Sequence, residues 1–294
     1  MTKYLIILSG IPRGGHKTWA SLVRNVQKPL NADIALLYGD KFKISKYLRN
    51  QSRFDWQFKE PENWKDFYQE RFQDESVLDF IKKGSKYGMA GGIDDFDGSG
   101  AIVQGFRMIV YENYLDELLK YDYIIYTRFD QYYVSTHPHF KGDKLWIPKG
   151  EDYFGICDRH VIFPSKYSKK FFGVHKYLGN PETHKNTDYE ISTERVYLDS
   201  LIHNEIDKHI ERIDRFQFTS AIESDPTRWR KAKYKIYLSG GLLMKYPDEF
   251  IDSVYNQFKL QGVKYIFTHP IISLNYFYLQ LRRYIGKQKK IYSD

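Results

Sequence analysis

The sequence predicts an α/β protein with a central mixed sheet flanked by helices, on three observations. Residues 4–38 read as strand, glycine-rich loop, helix and strand, the βαβ opening of a nucleotide-binding sheet. Tyr123–Tyr126 is a short apolar, β-branched and aromatic run, which predicts a buried strand, and the polar cluster Thr127, Arg128 and Asp130 follows it at once. Further short strand-like runs, Lys144–Pro148 and Val161–Phe163, continue the pattern downstream.

Length and composition bound the rest. The 294 residues suffice for one large α/β domain, or a domain with a smaller annex, with a sizeable core. No apolar run approaches the ~18 residues of a membrane-spanning helix. Tyr4–Leu8 is too short for a secretory apolar region and breaks at Gly10-Ile-Pro12. One cysteine, Cys157, excludes an intramolecular disulfide framework, so a soluble, cytoplasmic protein is expected. The net charge of +8 suits anionic partners. Basic and acidic residues are interspersed, which does not favour nucleic acid over a small anionic ligand.

In chain order, strand Tyr4–Leu8 leads into the loop Ser9–Thr18. A helix follows with Trp19, Leu22, Val23 and Val26 on one face, ended by Pro29, and Asp33–Tyr38 is the next strand. The loop has Gly10 and Gly15 at phosphate-loop spacing, but His16 separates Gly15 from Lys17-Thr18, and such loops tolerate little insertion. The expected role is a turn whose Gly10 amide and Arg13 approach a nucleotide, against a plain turn with Lys17 in water. Residues 40–90, rich in charge and aromatics, read as an insertion or lid edge, with Asn63 capping a helix to Phe72. Gly91–Gly100 carries Asp94, Asp95 and Asp97 without the ligand order of a calcium loop. Ser99 then caps a buried helix, Ala101–Leu119, with Gln104 and Arg107 on one face. Arg107 is expected to hold a phosphate or Asp130, or to form a structural ion pair.

The end of the Tyr123–Tyr126 strand is the first candidate site. Ligands of open α/β sheets bind at the carboxyl ends of strands. A carboxylate there, Asp130, can hold a divalent cation against a diphosphate, and Arg128 can fork onto the same phosphates. Otherwise Asp130 caps a turn and Arg128 pairs with a surface acid. The second candidate is Gly150–His160, where Glu151, Asp152, Asp158 and His160 crowd one loop. Asp158, with Asp152 second, is the candidate base for an acceptor hydroxyl; a loop-stabilising Asp158–Arg159 pair is the other reading.

Beyond it, Lys166–Asp188 reads as a basic loop region. Thr193 is expected to cap a helix to Asn204 with Glu194 in its first turn, and Asp214–Phe218 and Lys235–Leu238 read as strands. Trp229 could stack on a sugar or simply pack. Pro247 begins a helix, Val263–Thr268 is a further segment, and the aromatic, basic tail 271–294 closes the chain. The tail is expected to dock its apolar side on the body, with peripheral contact with an anionic membrane as the other reading.

Three segments together resemble a group of glycosyltransferases of large algal viruses (the chlorovirus type) and of bacterial surface-glycan clusters. They are Ile11-Pro-Arg13 before Pro29-Leu-Asn-Ala-Asp33; Gly91-Gly-Ile-Asp-Asp95 before a helix and Arg128-Phe-Asp130; and Glu151-Asp-Tyr-Phe-Gly155 before Asp158-Arg-His160. The resemblance spans roughly residues 1–200. It implies a GT-A-like, Rossmann-related fold, with Arg128-Phe129-Asp130 in place of the usual Asp-X-Asp pair, and Mn²⁺ or Mg²⁺ at Asp130. It further implies a nucleotide-sugar donor of the UDP-xylose or UDP-glucose type and an oligosaccharide or glycoprotein acceptor, as in viral capsid or cell-surface glycan synthesis. For a viral protein the location would be the host cytoplasm. On this reading 1–135 is the donor half, with the 40–90 insertion, and 136–270 the acceptor half of a single 1–294 domain. Gly10, Arg13, Arg107, Arg128 and Asp130 would bind the donor and metal, and Asp158 and Asp152 would serve catalysis. The competing expectations are a phosphotransferase or sulfotransferase built on Gly10–Thr18, and a basic protein that binds glycan or membrane without catalysis.

Overall fold

The computed structural model describes residues 2–80, 99–183, 192–225, 234–235 and 241–291. The chain forms two compact units that interleave along the sequence. The first comprises 1–11, 30–128 and 139–213; the second comprises 12–29, 129–138 and 214–294. The expected division near residue 135 therefore falls inside a ten-residue segment of the second unit.

The first unit is α/β, with a seven-stranded mixed sheet flanked by helices. Its strands are β1 (Tyr4–Ser9), β2 (Asp33–Gly39), β3 (Phe54–Phe58), β4 (Tyr123–Arg128), β6 (Leu145–Pro148), β7 (His160–Pro164) and β8 (Ile210–Ile213), in the spatial order β3-β2-β1-β4-β7-β6-β8. β1 to β4 are mutually parallel, and β7 runs antiparallel to both β4 and β6. Every residue of β1 and β7 is buried, as a central strand with two covered faces requires. One face, carrying Leu5, Ile7, Ile124, Tyr126 and Val161, packs on helix α3 (Ser99–Asn113) through Phe106 and Val110. It also packs on helix α4 (Thr193–His203) through Val196 and Tyr197.

The structure departs from the sequence expectations at several places and meets them at others. The predicted insertion contributes β3, which pairs parallel to β2 as the edge of the main sheet. Its helix, α2 (Trp64–Arg71), is capped by Asn63, whose side chain accepts the Lys65 N–H at 2.8 Å as expected. The cap of α4 is Ser192, one residue before the predicted Thr193. Residues 165–183 are a chain of short helices rather than loop. The aspartate-rich stretch 91–98 and Trp229 lie outside the described residues.

The second unit has its own four-stranded sheet, β10-β11-β9-β5. Its strands are β5 (Gln131–Tyr133), β9 (Gln217–Ile222), β10 (Tyr234–Lys235) and β11 (Leu242–Met244). Three helices follow: α5 (Pro247–Gln261), α6 (Val263–Thr268) and α7 (Pro270–Ile291). Their core joins Phe218, Leu242, Met244, Phe250, Val254 and Tyr265. The strand predicted at Asp214–Phe218 is shifted to Gln217–Ile222. Helix α1 (Gly15–Leu22) is also part of this unit, and Pro29 does not end it. A π-helical stretch, Val23–Gln27, widens the coil before the proline, with the Lys28 N–H donating to the Val23 carbonyl, and helix continues to Leu30. Proline has no N–H for the carbonyl four residues back. The Asn25 carbonyl accepts the His137 N–H instead, at 2.7 Å, while the Asn25 amide donates to the Tyr133 carbonyl at 2.7 Å. The proline thus turns a helical carbonyl into an anchor for the segment after β5.

Candidate functional site

Sheet order fixes where a site is to be sought. β1 connects to β2 on one side, and the crossover from β3 returns to β4 on the other, so the connections diverge between the carboxyl ends of β1 and β4. Such a switch point opens a crevice in α/β sheets. Ser9 and Arg128 are register partners there, with Thr127 opposite Leu8. The Tyr126 hydroxyl donates to Ser9 Oγ at 2.9 Å across the two strands.

Because β7 is antiparallel, its amino end lies at this same edge, with His160 opposite Thr127. The Thr127 hydroxyl donates to the Arg159 carbonyl at 3.1 Å. Asp158-Arg-His160 is therefore brought beside Thr127-Arg128, although 30 residues separate them in sequence. All three of Asp158, Arg159 and His160 are buried.

Arg159 is the hub of the charges. Its guanidinium lies 3.6 Å from Glu194 and 4.0 Å from Glu151, with the Tyr153 ring centroid 5.8 Å away. Burial pushes the Glu194 carboxyl up to about 8, and the Asp158 charge adds to this; Arg159 and Arg128 act in the opposite direction. Glu194 thus carries a proton near neutral pH, a property no sequence signal beyond its helix position suggested. Glu194 has no place in the predicted site, yet it touches the predicted loop.

Arg107 lies deeper and is fully buried. Its guanidinium donates to Gln104 Oε1 at 2.9 Å, to Ser200 Oγ at 3.2 Å and to the Phe171 carbonyl, and it lies 4.6 Å from the Tyr197 ring centroid. Burial lowers its pKa, and Asp158 is among the groups that raise it. Burial likewise pushes the Tyr126 phenol up to about 12 and the Tyr197 phenol well above its ordinary value. Arg107 is therefore a cation held by neutral acceptors and aromatic rings, with the Asp158 charge in its field. That arrangement is neither of the roles expected for it from sequence, a phosphate clamp or a simple ion pair.

The loop carrying Glu151 and Asp152 is clamped. Asp152 accepts from Arg212 through both oxygens, at 2.8 and 3.1 Å, and from the Cys157 N–H at 2.9 Å. Both its oxygens are thus spent on holding the loop. Glu151, Tyr153 and Phe154 have positive φ (55°, 37° and 66°), a conformation costly for side-chain-bearing residues. Gly155 is required next: a Cβ there would stand 2.0 Å from the Glu194 carbonyl oxygen. The Ile156 N–H donates to that same carbonyl at 3.1 Å. Strain in the loop is thereby held against the start of α4, and Phe154 is left 71% exposed at its tip.

Gly10 has φ +109° with open space where a Cβ would stand, so the turn geometry rather than a close approach selects glycine. Arg13 and Asp130 belong to the second unit. The Arg13 carbonyl accepts the Trp19 indole N–H at 3.0 Å, and Asp130 is buried with its backbone carbonyl accepting from the Ser220 N–H at 2.8 Å. The structure thus groups Gly10, Arg107, Arg128, Asp152 and Asp158 in one unit, and Arg13 and Asp130 in the other.

The glycine-rich loop has its own answer. The N–H of Gly14, the residue before α1, donates to the Asp225 carboxylate at 2.8 Å, and the Ile222 N–H donates to the same oxygen at 2.8 Å. A carboxylate of the chain itself sits where a phosphate loop would receive its ligand. Lys17 is exposed.

Among the described residues, no group of three or more His, Cys, Asp and Glu is placed to hold a metal ion. Asp130 is the one carboxylate between Thr127 and Gln131, and Arg128 puts a cation where the first aspartate of a pair would stand, so this strand end supplies half of that donor set.

No family model and no curated protein sequence matches the chain. What the site can do rests on its own geometry.

Proposed function

We propose that the chain is a GT-A-like glycosyltransferase, moving a sugar from a nucleoside diphosphate donor to a glycan hydroxyl. The observation that carries this reading is the meeting of Arg128 and Asp158-Arg-His160 at the switch point of the sheet, through the Thr127–His160 register. Cations beside carboxylates at that edge match the two demands of the reaction. A departing diphosphate needs positive charge, and an acceptor hydroxyl needs a proton acceptor.

In this reading Arg128 neutralises the diphosphate, with the Arg159 field behind it. The acceptor oxygen bonds to the anomeric carbon as the bond from that carbon to the diphosphate oxygen breaks. The electron pair leaves with the nucleoside diphosphate, and the hydroxyl proton passes to Asp158. At 5% exposed, Asp158 is shielded from water and acts only on a hydroxyl delivered against it. Asp152 holds the loop through Arg212. A UDP-linked donor of the xylose or glucose type and an oligosaccharide or glycoprotein acceptor follow from the resemblance of the sequence segments. The plugged start of α1 speaks against a phosphotransferase built on Gly10–Thr18.

The test is a thermal shift against UDP, GDP, ATP, UDP-glucose and UDP-xylose, with and without Mn²⁺, followed by UDP release with a glycan acceptor. A ligand present at about a hundredfold its Kd stabilises by about 2.7 kcal/mol, a shift of several degrees. A UDP-sugar should give such a shift, lost in Arg128→Ala, and Asp158→Asn should abolish UDP release while keeping the shift. Stabilisation by ATP alone would overturn the reading.

A further inference from the structure

One surface of the second unit takes no part in this chemistry. Helix α7 buries Ile272, Tyr276 and Leu279 in the core of its unit. An ordinary surface helix then turns polar side chains outward. α7 does not: Ile271, Leu274, Tyr278, Leu281 and Ile285 recur at alternating three- and four-residue spacing on the exposed side, and Leu281 is 58% exposed. Helix α6 continues the patch with Phe267, 82% exposed. Single exposed apolar residues are normal, whereas a contiguous stripe across two helices marks an interaction surface.

Basic residues dominate the sequence around the stripe. From Ser253 to Ser293 the sequence holds no aspartate or glutamate and seven lysines and arginines. Of these, Lys259, Lys264 and Arg282 are exposed, and Arg283 pairs with Asp248 at 2.6 Å. We propose that the α6–α7 face docks on an anionic lipid bilayer, with α7 lying in the plane of the interface.

Charge complementarity selects this occupant. A second copy of the face would bring the exposed Lys264 and Arg282 against their like, and the stripe covers two heptads where coiled coils sustain about three or four. Among the described residues no helix is long and apolar enough to cross a membrane, so the helix lies on the bilayer rather than through it. Tyr278 and Tyr284 are exposed aromatics of the kind that settle at headgroup level, and Phe267 suits the apolar side beneath them. The inference does not depend on the sugar-transfer reading.

The test is flotation of the full chain with phosphatidylcholine vesicles, with and without about 30% phosphatidylglycerol, at roughly 0.1 M and 0.5 M salt. The chain should float with the anionic vesicles and about tenfold less with neutral vesicles or at high salt. Leu281→Glu and Phe267→Ser should each reduce binding about tenfold, and Lys264→Gln and Arg282→Gln about fivefold each, all with unchanged melting temperature. Failure of the folded chain to float with anionic vesicles would overturn the proposal, as would flotation indifferent to Leu281→Glu. A dimer in light scattering that Leu281→Glu converts to monomer, without vesicle binding, would assign the face to self-association instead.

Discussion

Glu194 holds its proton because burial beside Asp158 outweighs the attraction of Arg159. Its unfolded value is near 4.5, so between about 4.5 and 8 the folded state binds the extra proton and stability falls as pH rises. The loss is on the order of 5 kcal/mol across that window. Glu194→Gln should therefore melt close to the wild type at pH 5 and well above it at pH 8.5, read by calorimetry at the two pH values. Gly155→Ala is expected to go the other way, destabilising by more than about 3 kcal/mol, because backbone rather than a flexible side chain blocks the Cβ. Denaturant unfolding measures it. In the second unit, Arg215 and Glu249 form an ion pair at 3.0 Å with both side chains buried, and Glu249 also accepts the Thr219 N–H. Arg215→Met leaves that carboxylate buried without its cation and should cost about 3–5 kcal/mol. Glu249→Gln in the same chain should recover part of it.

At the scale of elements, central strands were legible and edges were not. β1, β2, β4 and β7 are buried on both faces, so their sequences are short apolar runs that can hardly be read otherwise. β3 and β8 lie at the two edges of the sheet and carry exposed Asp55, Gln57 and Glu211; β3 read as insertion and β8 went unseen. Pro29 marked a helix end by its missing N–H, and the structure resolves the same constraint with a π turn. The loop before α1 read as an imperfect phosphate loop because the plugging acid, Asp225, is some 210 residues away, beyond any local pattern. Asp225→Asn removes the charge from two N–H acceptor bonds and should cost about 1–2 kcal/mol. Millimolar ATP should not restore the melting temperature. A restoration would show the loop to be a nucleotide site after all.

For the molecule as a whole, the order of residues along the chain gave little warning of which ones share a unit. Arg128 and Asp158 were singled out separately, and the pairing of β4 with antiparallel β7 gathers them, while Arg107 meets the Asp158 field from helix α3. Spacing cannot report that, since strand order is decided by long-range packing. Arg13 and Asp130, close to Gly10 and Arg128 in sequence, are counted with the other unit. A chain cut after Ile213 keeps β5 and α1 but loses β9, which pairs with β5, and the helices that cover buried Val134. It should aggregate on size-exclusion chromatography, where the full chain elutes as a defined species.

The interleaving also has a consequence for synthesis. Helix α1 leaves the ribosome early, yet its buried Thr18 hydroxyl bonds Ser220 on β9, at 2.7 Å. At about 5–20 residues per second, the partner strand follows after roughly 10–40 s. Until then the nascent chain holds β5 alone of that four-stranded sheet. Residues 12–29 wait for their partner strand throughout, and slower translation lengthens the exposure.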